Sequence, residues 1–279
     1  MADRDLPTAD HQGPQRIVCL TEETTEWLYL LGEERRIVGI SGFTVRPRRA
    51  RQEKPKVSAF TSARIEQIVA LRPDLVLGFS DIQADIAADL IRAGVPVLVF
   101  NQRSLAEIFE VLGQVAALVG APQRGHALLL QFRERLGQMR RAVQARLAQG
   151  RRRPRVYFEE WDAPQISGIR WVSELIGIAG GEDCLAELAA QSLAKGRIVA
   201  DPLEVVRRAP DIIVGSWCGK KFRPEQVAAR PGWQDVPAVR DGQLFEVKSP
   251  EILQPGPAAL TDGAEALHRI VMNWMDRHG

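Results

Sequence analysis

Cysteine and histidine are scarce in this chain of 279 residues, and their scarcity excludes several kinds of site. The three cysteines, Cys19, Cys184 and Cys218, form no C-x-x-C pair, so they supply neither a disulfide framework nor a zinc site. The four histidines are scattered, and two of them fall in the terminal tails. We therefore predict no metal site and no cofactor.

Long apolar runs and a charge excess of one sign are also absent. No stretch approaches the roughly 18 consecutive apolar residues that a membrane-spanning helix needs. The formal net charge is only +2, which does not favour nucleic acid as a partner. Two arginine-rich runs, residues 46–51 and 151–155, stand out; the second falls between a predicted helix and a predicted strand and is typical of a solvated connector.

The first 14 residues are predicted to be a disordered leader. They contain charged and polar residues without the apolar segment of a secretory signal. As the sequence stands this predicts a cytoplasmic protein, with a periplasmic location as the alternative if a signal peptide has been removed.

Short apolar runs then alternate with amphipathic helical segments. The runs lack polar alternation, which indicates strands covered by helices on both faces and paired in parallel. The predicted fold class is α/β, with two Rossmann-like lobes whose parallel sheets are joined by a single long α-helix. The predicted boundaries are an N-terminal lobe over 15–120, a linking helix over 121–150 and a C-terminal lobe over 151–279.

The linking helix is predicted from one apolar stripe. Its members recur every three or four residues, as one face of a helix requires: Phe132, Leu136, Met139, Val143 and Leu147. At 1.5 Å per residue the helix would be about 40 Å long, more than one α/β lobe needs, which favours a rigid connection between lobes.

A faint internal repeat indicates that the two lobes are built from the same order of elements. Residues 65–78 and 203–215 each contain a short helical segment, a Pro-Asp turn and an apolar strand that ends in glycine. The Pro-Asp pairs are Pro73–Asp74 and Pro210–Asp211.

Candidate binding residues follow the predicted strands, because ligands of open α/β sheets bind beyond the carboxyl ends of the strands. Aromatic residues are only 6% of the chain, yet three of the six tryptophans fall in two such loops. Loop tryptophans flanked by Gly, Pro and Ser are poorly placed for a core and well placed as flat contact surfaces. The alternative, that each packs between loop and helix, stays open.

None of three catalytic interpretations is favoured by the sequence. The run Gly215–Lys221 is one residue too short for a phosphate-binding loop and lacks a Ser or Thr after the lysine. Cys218 has no histidine in a neighbouring loop to activate it. Glu159 and Glu160 are adjacent on a strand and point to opposite faces, so they cannot act together across a substrate. The sequence predicts a binding protein and not an enzyme.

Several segments resemble a known group of proteins. These are Pro73–Gly78, Glu160–Pro164, Trp171–Ile176 and Ala179–Asp183. They resemble the cobalamin-binding members of the helical-backbone substrate-binding proteins of ABC importers, the class III periplasmic binding protein superfamily. The resemblance spans about residues 15–275. The superfamily also includes siderophore and haem binders, and the Trp161–Asp162 and Ser216–Gly219 segments favour a corrinoid.

The resemblance implies a cobalamin molecule clamped by aromatic residues from both lobes, in the cleft between them. The second-lobe contacts would be Trp161, Asp162 and Trp217, with Ser216 beside them. The first-lobe candidates are Phe43, Phe60 and Phe79. The apolar faces of a corrin ring suit aromatic contact, and its amide rim suits Asp and Ser.

The resemblance also concerns a membrane partner. Relatives that dock onto a permease carry an exposed glutamate on each lobe, and Glu66 occupies the first position. Leu203 occupies the second, and Glu204 beside it would face about 100° away on a helix.

Three function classes follow from these features. The first is a corrinoid carrier or sensor outside transport, and the second is the binding subunit of an importer for a corrinoid, ferric siderophore or haem. The third is a two-lobed enzyme or metal-cluster protein.

Overall fold

The computed structural model describes residues 13–278. Most of the predicted leader, residues 1–12, lies outside the described residues. The strands are β1 (Ile17–Cys19), β2 (Ile37–Ser41), β3 (Lys56–Ser58), β4 (Leu75–Phe79), β5 (Val97–Phe100), β6 (Arg155–Asp162), β7 (Gln165–Ser167), β8 (Glu182–Asp183), β9 (Ile212–Gly215) and β10 (Leu244–Glu246).

The helices lie before, between and after these strands. They are α1 (Glu22–Leu31), α2 (Ala50–Glu53), α3 (Ile65–Ala70), α4 (Ala84–Arg92), α5 (Leu105–Leu118), α6 (Pro122–Ala148), α7 (Arg170–Ala179), α8 (Ala186–Ala189), α9 (Leu203–Arg208), α10 (Pro224–Ala228), α11 (Pro237–Arg240), α12 (Ser249–Ile252) and α13 (Ala264–His278). A single π-helical turn, Ala259–Gly263, leads into α13.

The chain folds into two compact units. Unit 1 comprises the residues up to Asn101 together with Phe109–Leu129, and unit 2 comprises Gln102–Ile108 and the residues from Leu130 onward. Each unit is built around one sheet, which confirms the predicted fold class. The chain therefore passes from unit 1 to unit 2, back again, and finally into unit 2.

The sheet of unit 1 is parallel throughout, in the order β3-β2-β1-β4-β5. Its strands are short and apolar because helices cover them, and β1 and β4 are fully buried. One core cluster joins these strands to α3 and α4 through Val18, Val76, Ile68, Ile86 and Leu90.

The sheet of unit 2 has the order β10-β9-β6-β7, and β8 pairs with the first residues of β6. Strands β10, β9, β6 and β8 pair in parallel, as predicted, but β7 runs antiparallel to β6. The cause is the short hairpin at residues 162–165, which returns the chain directly alongside β6. Strand β6 therefore extends over eight residues, and its last two, Trp161 and Asp162, belong to the hairpin.

The internal repeat is confirmed in structural detail. Arg72 and Ala209, each just before the proline of the repeat, share a left-handed backbone conformation with φ of 47° and 46°. The aspartate after each proline accepts backbone N–H groups at the start of the neighbouring strand. Asp74 accepts from Arg16 at 2.8 Å, and Asp211 accepts from Arg155 at 2.8 Å.

The long helix is confirmed as α6, whose 27 residues begin in unit 1 and continue through unit 2. Four of its stripe residues are buried: Phe132, Leu136, Met139 and Val143. A Cβ built on Gly180, which ends α7, would lie 2.8 Å from Val143, so α6 packs tightly against the end of α7 within unit 2. From Leu130 onward the helix is thus part of the helical layer of unit 2.

Candidate functional site

In unit 1 the three predicted phenylalanines lie at the carboxyl ends of three parallel strands of one sheet, β2, β3 and β4. Phe43 follows β2 and is 63% exposed, Phe60 follows β3 and is partly exposed, and Phe79 ends β4 and is buried. Phe43 therefore offers an open aromatic face. Phe79 is part of the core, and a role in ligand contact stays a prediction for it.

Gln83, which the sequence did not single out, organises this edge. Its buried side-chain oxygen accepts the backbone N–H of Phe79 at 2.9 Å. Its amide group donates to the carbonyl oxygens of Leu20 at 3.3 Å and Phe60 at 3.0 Å. One side chain thus ties together the ends of β1 and β4 and the loop after β3. Because a buried amide must be satisfied on both its ends, Gln83 fixes the path of these loops.

Two buried carboxyl groups occupy the first turn of α1, directly after β1. Burial raises the pKa of Glu22 to about 8, although backbone N–H groups of Val45 and Arg46 oppose the shift. Burial also raises the pKa of Glu23 to about 7, against a hydrogen bond from Thr21. Desolvation disfavours the charged form of a carboxyl group, so both side chains hold protons well above the usual pH range.

We expect Glu22 to make the protein less stable as the pH rises from about 5 to 8. Over this window an unfolded glutamate is ionised while Glu22 in the folded state still retains a proton, so rising pH favours the unfolded chain. Glu22→Gln removes one such group and should reduce the loss, as measured by urea unfolding midpoints at pH 5 and pH 8. Glu66→Gln, at an exposed position, is the control and should keep the wild-type dependence. An identical dependence in Glu22→Gln and the wild type would contradict this assignment.

In unit 2 the carboxyl edge of the sheet is built on Glu159, a fully buried residue of β6. Its carboxylate accepts two hydrogen bonds from Arg230, at 2.6 and 2.8 Å. It also accepts the indole N–H of Trp217 at 2.9 Å and the hydroxyl of Tyr157 at 3.0 Å. Four donors satisfy both oxygens, as a buried charge requires.

Trp217 does not present an open indole face, contrary to the expectation for a loop tryptophan. It is 3% exposed, belongs to the core cluster of unit 2, and packs edge to face against Phe222 with ring centroids 5.0 Å apart. The reason is its bond to Glu159, which draws the indole inward and which no local pattern could reveal. Trp217 is therefore a core residue of unit 2, and its contact with a ligand stays a prediction.

Trp161 and Asp162 gather with Trp217 around Lys220, a residue that the sequence did not single out. The Lys220 ammonium pairs with the Asp162 carboxylate. It also lies 4.3 Å from the ring centroid of Trp161 and 5.0 Å from that of Trp217, within the range of a cation–π contact. Trp161 remains partly exposed, and its indole N–H donates to the Ala163 carbonyl at 2.9 Å. The predicted second-lobe residues therefore form one cluster.

Ser216 follows β9 and is almost completely buried. Within residues 13–278 its hydroxyl oxygen has no hydrogen-bond partner, although its backbone N–H donates to the Glu159 carbonyl at 2.8 Å. Burying a hydroxyl without a hydrogen-bond partner lowers the stability of the fold, and most buried polar groups in proteins do have a partner. Ser216 is an exception to this rule.

Glu159 and Glu160 do point to different partners, as their adjacency on a strand predicted. Glu160 pairs with Arg197, whose side chain is 2% exposed and also donates to the Ser167 carbonyl at 2.6 Å. This pair fixes β7 and the segment before α9 to β6. Neither carboxylate is left available as an acid or base.

The thiol pKa of each cysteine is raised, which disfavours the reactive thiolate form. Burial raises the pKa of the Cys19 and Cys184 thiols to about 12. Desolvation raises the pKa of Cys218 also, and the nearby Glu160 raises it further. Among residues 13–278, no group of three or more His, Cys, Asp or Glu side chains is placed to hold a metal ion. In that same range, no helix is both long and apolar enough to cross a membrane.

The two candidate docking glutamates differ in their surroundings. Glu66 is exposed on α3, and no ion-pair partner is found for it in the described part of the chain. Glu204 on α9 pairs with both Arg207 and Arg208, each at 2.7 Å. Leu203, beside it, is 47% exposed. The carboxylate of Glu204 is thus already neutralised within unit 2.

Comparison with known proteins identifies the family. A curated vitamin B12-binding protein of Vibrio parahaemolyticus is 24% identical over 257 residues, which cover 91% of this chain and 88% of that protein. A periplasmic heme-binding protein of Pseudomonas aeruginosa has the same fold, with a TM-score of 0.78 and 23% identity over 92% of each chain. The periplasmic vitamin B12-binding protein of Vibrio cholerae also shares it, with a TM-score of 0.73 and 20% identity over 93% of this chain and 97% of that one. The sequence profile of the periplasmic binding proteins matches residues 17–251, so this chain belongs to that family of substrate-binding proteins of the ABC importer type.

Proposed function

We propose that this protein binds cobalamin or a related corrinoid, and that the carboxyl edge of the sheet of unit 2 contacts it. The observation that carries the proposal is Trp161, whose partly exposed indole stands beside Asp162 at the end of β6. An indole offers a flat apolar surface to a macrocycle, and a carboxylate accepts hydrogen bonds from the amides at its rim. Phe43 supplies a second exposed aromatic side chain at the corresponding edge of unit 1.

The relatives support the choice of ligand. The Vibrio parahaemolyticus protein, which aligns with nine-tenths of this chain, is a vitamin B12-binding protein. The structural neighbours at 20–23% identity share the fold, and those named above include both vitamin B12 and heme binders. Haem and ferric siderophores are therefore the ligands against which corrinoid binding must be tested.

The family also bears on location and partner. Its members are periplasmic binding proteins, which favours the periplasmic alternative over a cytoplasmic one and an importer subunit over a carrier outside transport. We propose that a permease is the partner and that Glu66 is the docking carboxylate of unit 1. On unit 2, the arginines around Glu204 compete with any arginine of a permease.

The proposal predicts saturable binding of cyanocobalamin that weakens about tenfold, or 1.4 kcal/mol, in Trp161→Ala. Isothermal titration calorimetry is the preferred measurement, because removing an indole also changes tryptophan fluorescence. Trp161→Phe retains an aromatic face and should restore most of the affinity.

The control is Ile91→Ala on α4. Ile91 is also an exposed apolar residue, at 63%, but it precedes β5 and so lies toward the amino edge of the sheet of unit 1. Its affinity should equal that of the wild type. Binding that survives Trp161→Ala unchanged would remove Trp161 from the site, and binding of haem or a ferric siderophore in place of cyanocobalamin would overturn the corrinoid proposal.

A further inference from the structure

A depression in unit 2 lies beyond the ends of two neighbouring strands, β9 and β10. These strands pair in parallel with Glu246 opposite Gly215, so the loops that follow them leave the sheet side by side. Between the loops is a cavity of about 550 Å³. Its lining includes Lys220 and Lys221 from the first loop and Glu246, Lys248 and Ser249 from the second. We refer to it as the lysine depression.

The charge of the lysine depression is predominantly positive. Three ammonium groups face one carboxylate, Glu246, which already accepts the backbone N–H of Phe222 at 2.9 Å. Lys220 is paired with Asp162. Within residues 13–278, Lys221 and Lys248 have no ion-pair partner. Two uncompensated ammonium groups therefore share one concave surface, where they repel each other and attract an anion.

The lysine depression adjoins the cluster that Trp161, Asp162 and Trp217 form around Lys220. Trp217 lines the cavity, and the Lys220 ammonium reaches from the cavity to the rings of both Trp161 and Trp217. A molecule whose flat face rests on Trp161 would thus have positive charge beside it. The backbone beside Lys221 and Lys248 is hydrogen-bonded: Phe222 donates its N–H to the Glu246 carboxylate at 2.9 Å, and Val247 donates its N–H to the Gly215 carbonyl at 3.1 Å.

We propose that the lysine depression binds an oxyanion, a phosphate or carboxylate group, carried by the ligand. The inference rests on the proposed function, in that the ligand is the molecule bound at this sheet edge. For a cobalamin the oxyanion is the phosphodiester of the nucleotide loop, and for haem it is a propionate. Lys221 and Lys248 provide the charge, and the Ser249 hydroxyl can donate a hydrogen bond.

The experiment compares two corrinoids that share the ring but differ in the nucleotide loop, which carries the phosphate; the lysine variant then separates the contribution of the phosphate from that of the rest of the loop. Dicyanocobalamin carries the phosphodiester and dicyanocobinamide lacks it. We expect the wild type to bind the first about tenfold more tightly at low salt, and this preference to shrink as salt is added. In Lys221→Met/Lys248→Met the preference should disappear, while binding of dicyanocobinamide stays unchanged.

The control variant is Lys56→Met/Lys195→Met, which removes two exposed lysines outside the lysine depression. This variant should keep the wild-type preference for dicyanocobalamin. It loses the same net charge as Lys221→Met/Lys248→Met, so the comparison separates an effect of the lysine depression from an effect of net charge. An equal preference in the wild type and in Lys221→Met/Lys248→Met would overturn the oxyanion site and leave corrinoid binding intact.

Failure of both corrinoids to bind would instead overturn the proposed function. Haem and its dimethyl ester then decide the oxyanion site. Tighter binding of the free acid that is lost in Lys221→Met/Lys248→Met supports the site. Equal binding of acid and ester, or no binding of either, overturns it.

Discussion

Glu159→Gln is expected to lower the free energy of unfolding by about 3–5 kcal/mol, the range for breaking a buried ion pair by removing one partner. The carboxylate is fully buried and accepts hydrogen bonds from Arg230, Trp217 and Tyr157. A glutamine side chain presents an NH2 group where one oxygen now accepts donors, and it leaves the Arg230 guanidinium without its counter-charge. Urea unfolding followed by circular dichroism measures the change.

The matched control is Glu134→Gln. Glu134 also pairs with an arginine, Arg141 at 2.6 Å, but both side chains are more than half exposed. Water replaces an exposed partner at little cost, so this variant should unfold at the wild-type urea concentration. If Glu159→Gln were as stable as Glu134→Gln, Glu159 could not be the residue that holds the edge of unit 2 together.

Gly215→Ala is expected to destabilise the protein by about 1–3 kcal/mol, the usual cost of overpacking a core. A Cβ built on Gly215 would lie 1.8 Å from Cδ2 of Phe222 and 2.1 Å from its Cε2. Phe222 is 1% exposed and packs against Trp217, so it has no free space into which to move. The substitution should also disturb the aromatic cluster, visible as a change in near-ultraviolet circular dichroism.

Gly177→Ala serves as the control for Gly215→Ala. Gly177 lies within α7, and a Cβ built there meets nothing within 4 Å. Alanine is favoured over glycine inside a helix by roughly 0.5–1 kcal/mol, so this variant should be slightly more stable than the wild type. Equal stability of the two alanine variants would mean that the Phe222 ring can move aside to admit the Cβ, and would contradict the predicted overpacking.

The elements that could be predicted best from the sequence are those whose pattern lies within the element itself and the turn before it. Helix α3 and strands β4 and β9 lie where the internal repeat predicted a short helix and apolar strands. For the two strands the reason is a continuous apolar run that follows a Pro-Asp turn. Strands β3 and β7 give no such signal, because each has three residues with a polar residue at both ends and becomes a strand only by pairing with its neighbour.

The site shows the same division between local and distant causes. Parallel strands bring their carboxyl ends to one edge, so the position of Trp161 and Asp162 at that edge could be predicted. The burial of Trp217 could not, because it depends on Glu159, 58 residues earlier in the chain. Gln83 and Lys220 were missed for the same reason: their partners Leu20 and Asp162 are 63 and 58 residues away.

The interleaving of the two units along the chain has a consequence for how they can be produced and how they fold. Unit 2 recruits Gln102–Ile108 before the chain returns to unit 1 at Phe109. In that early segment the backbone N–H of Leu105 donates to Glu174 at 2.7 Å, a residue that the ribosome adds about 70 positions later. A fragment that begins at Arg151 would lack this segment and the buried face of α6. Neither unit is one continuous segment of the chain, so producing a unit alone would require circular permutation or co-expression of its two segments. During synthesis, unit 1 cannot complete its fold until Phe109–Leu129 has been added.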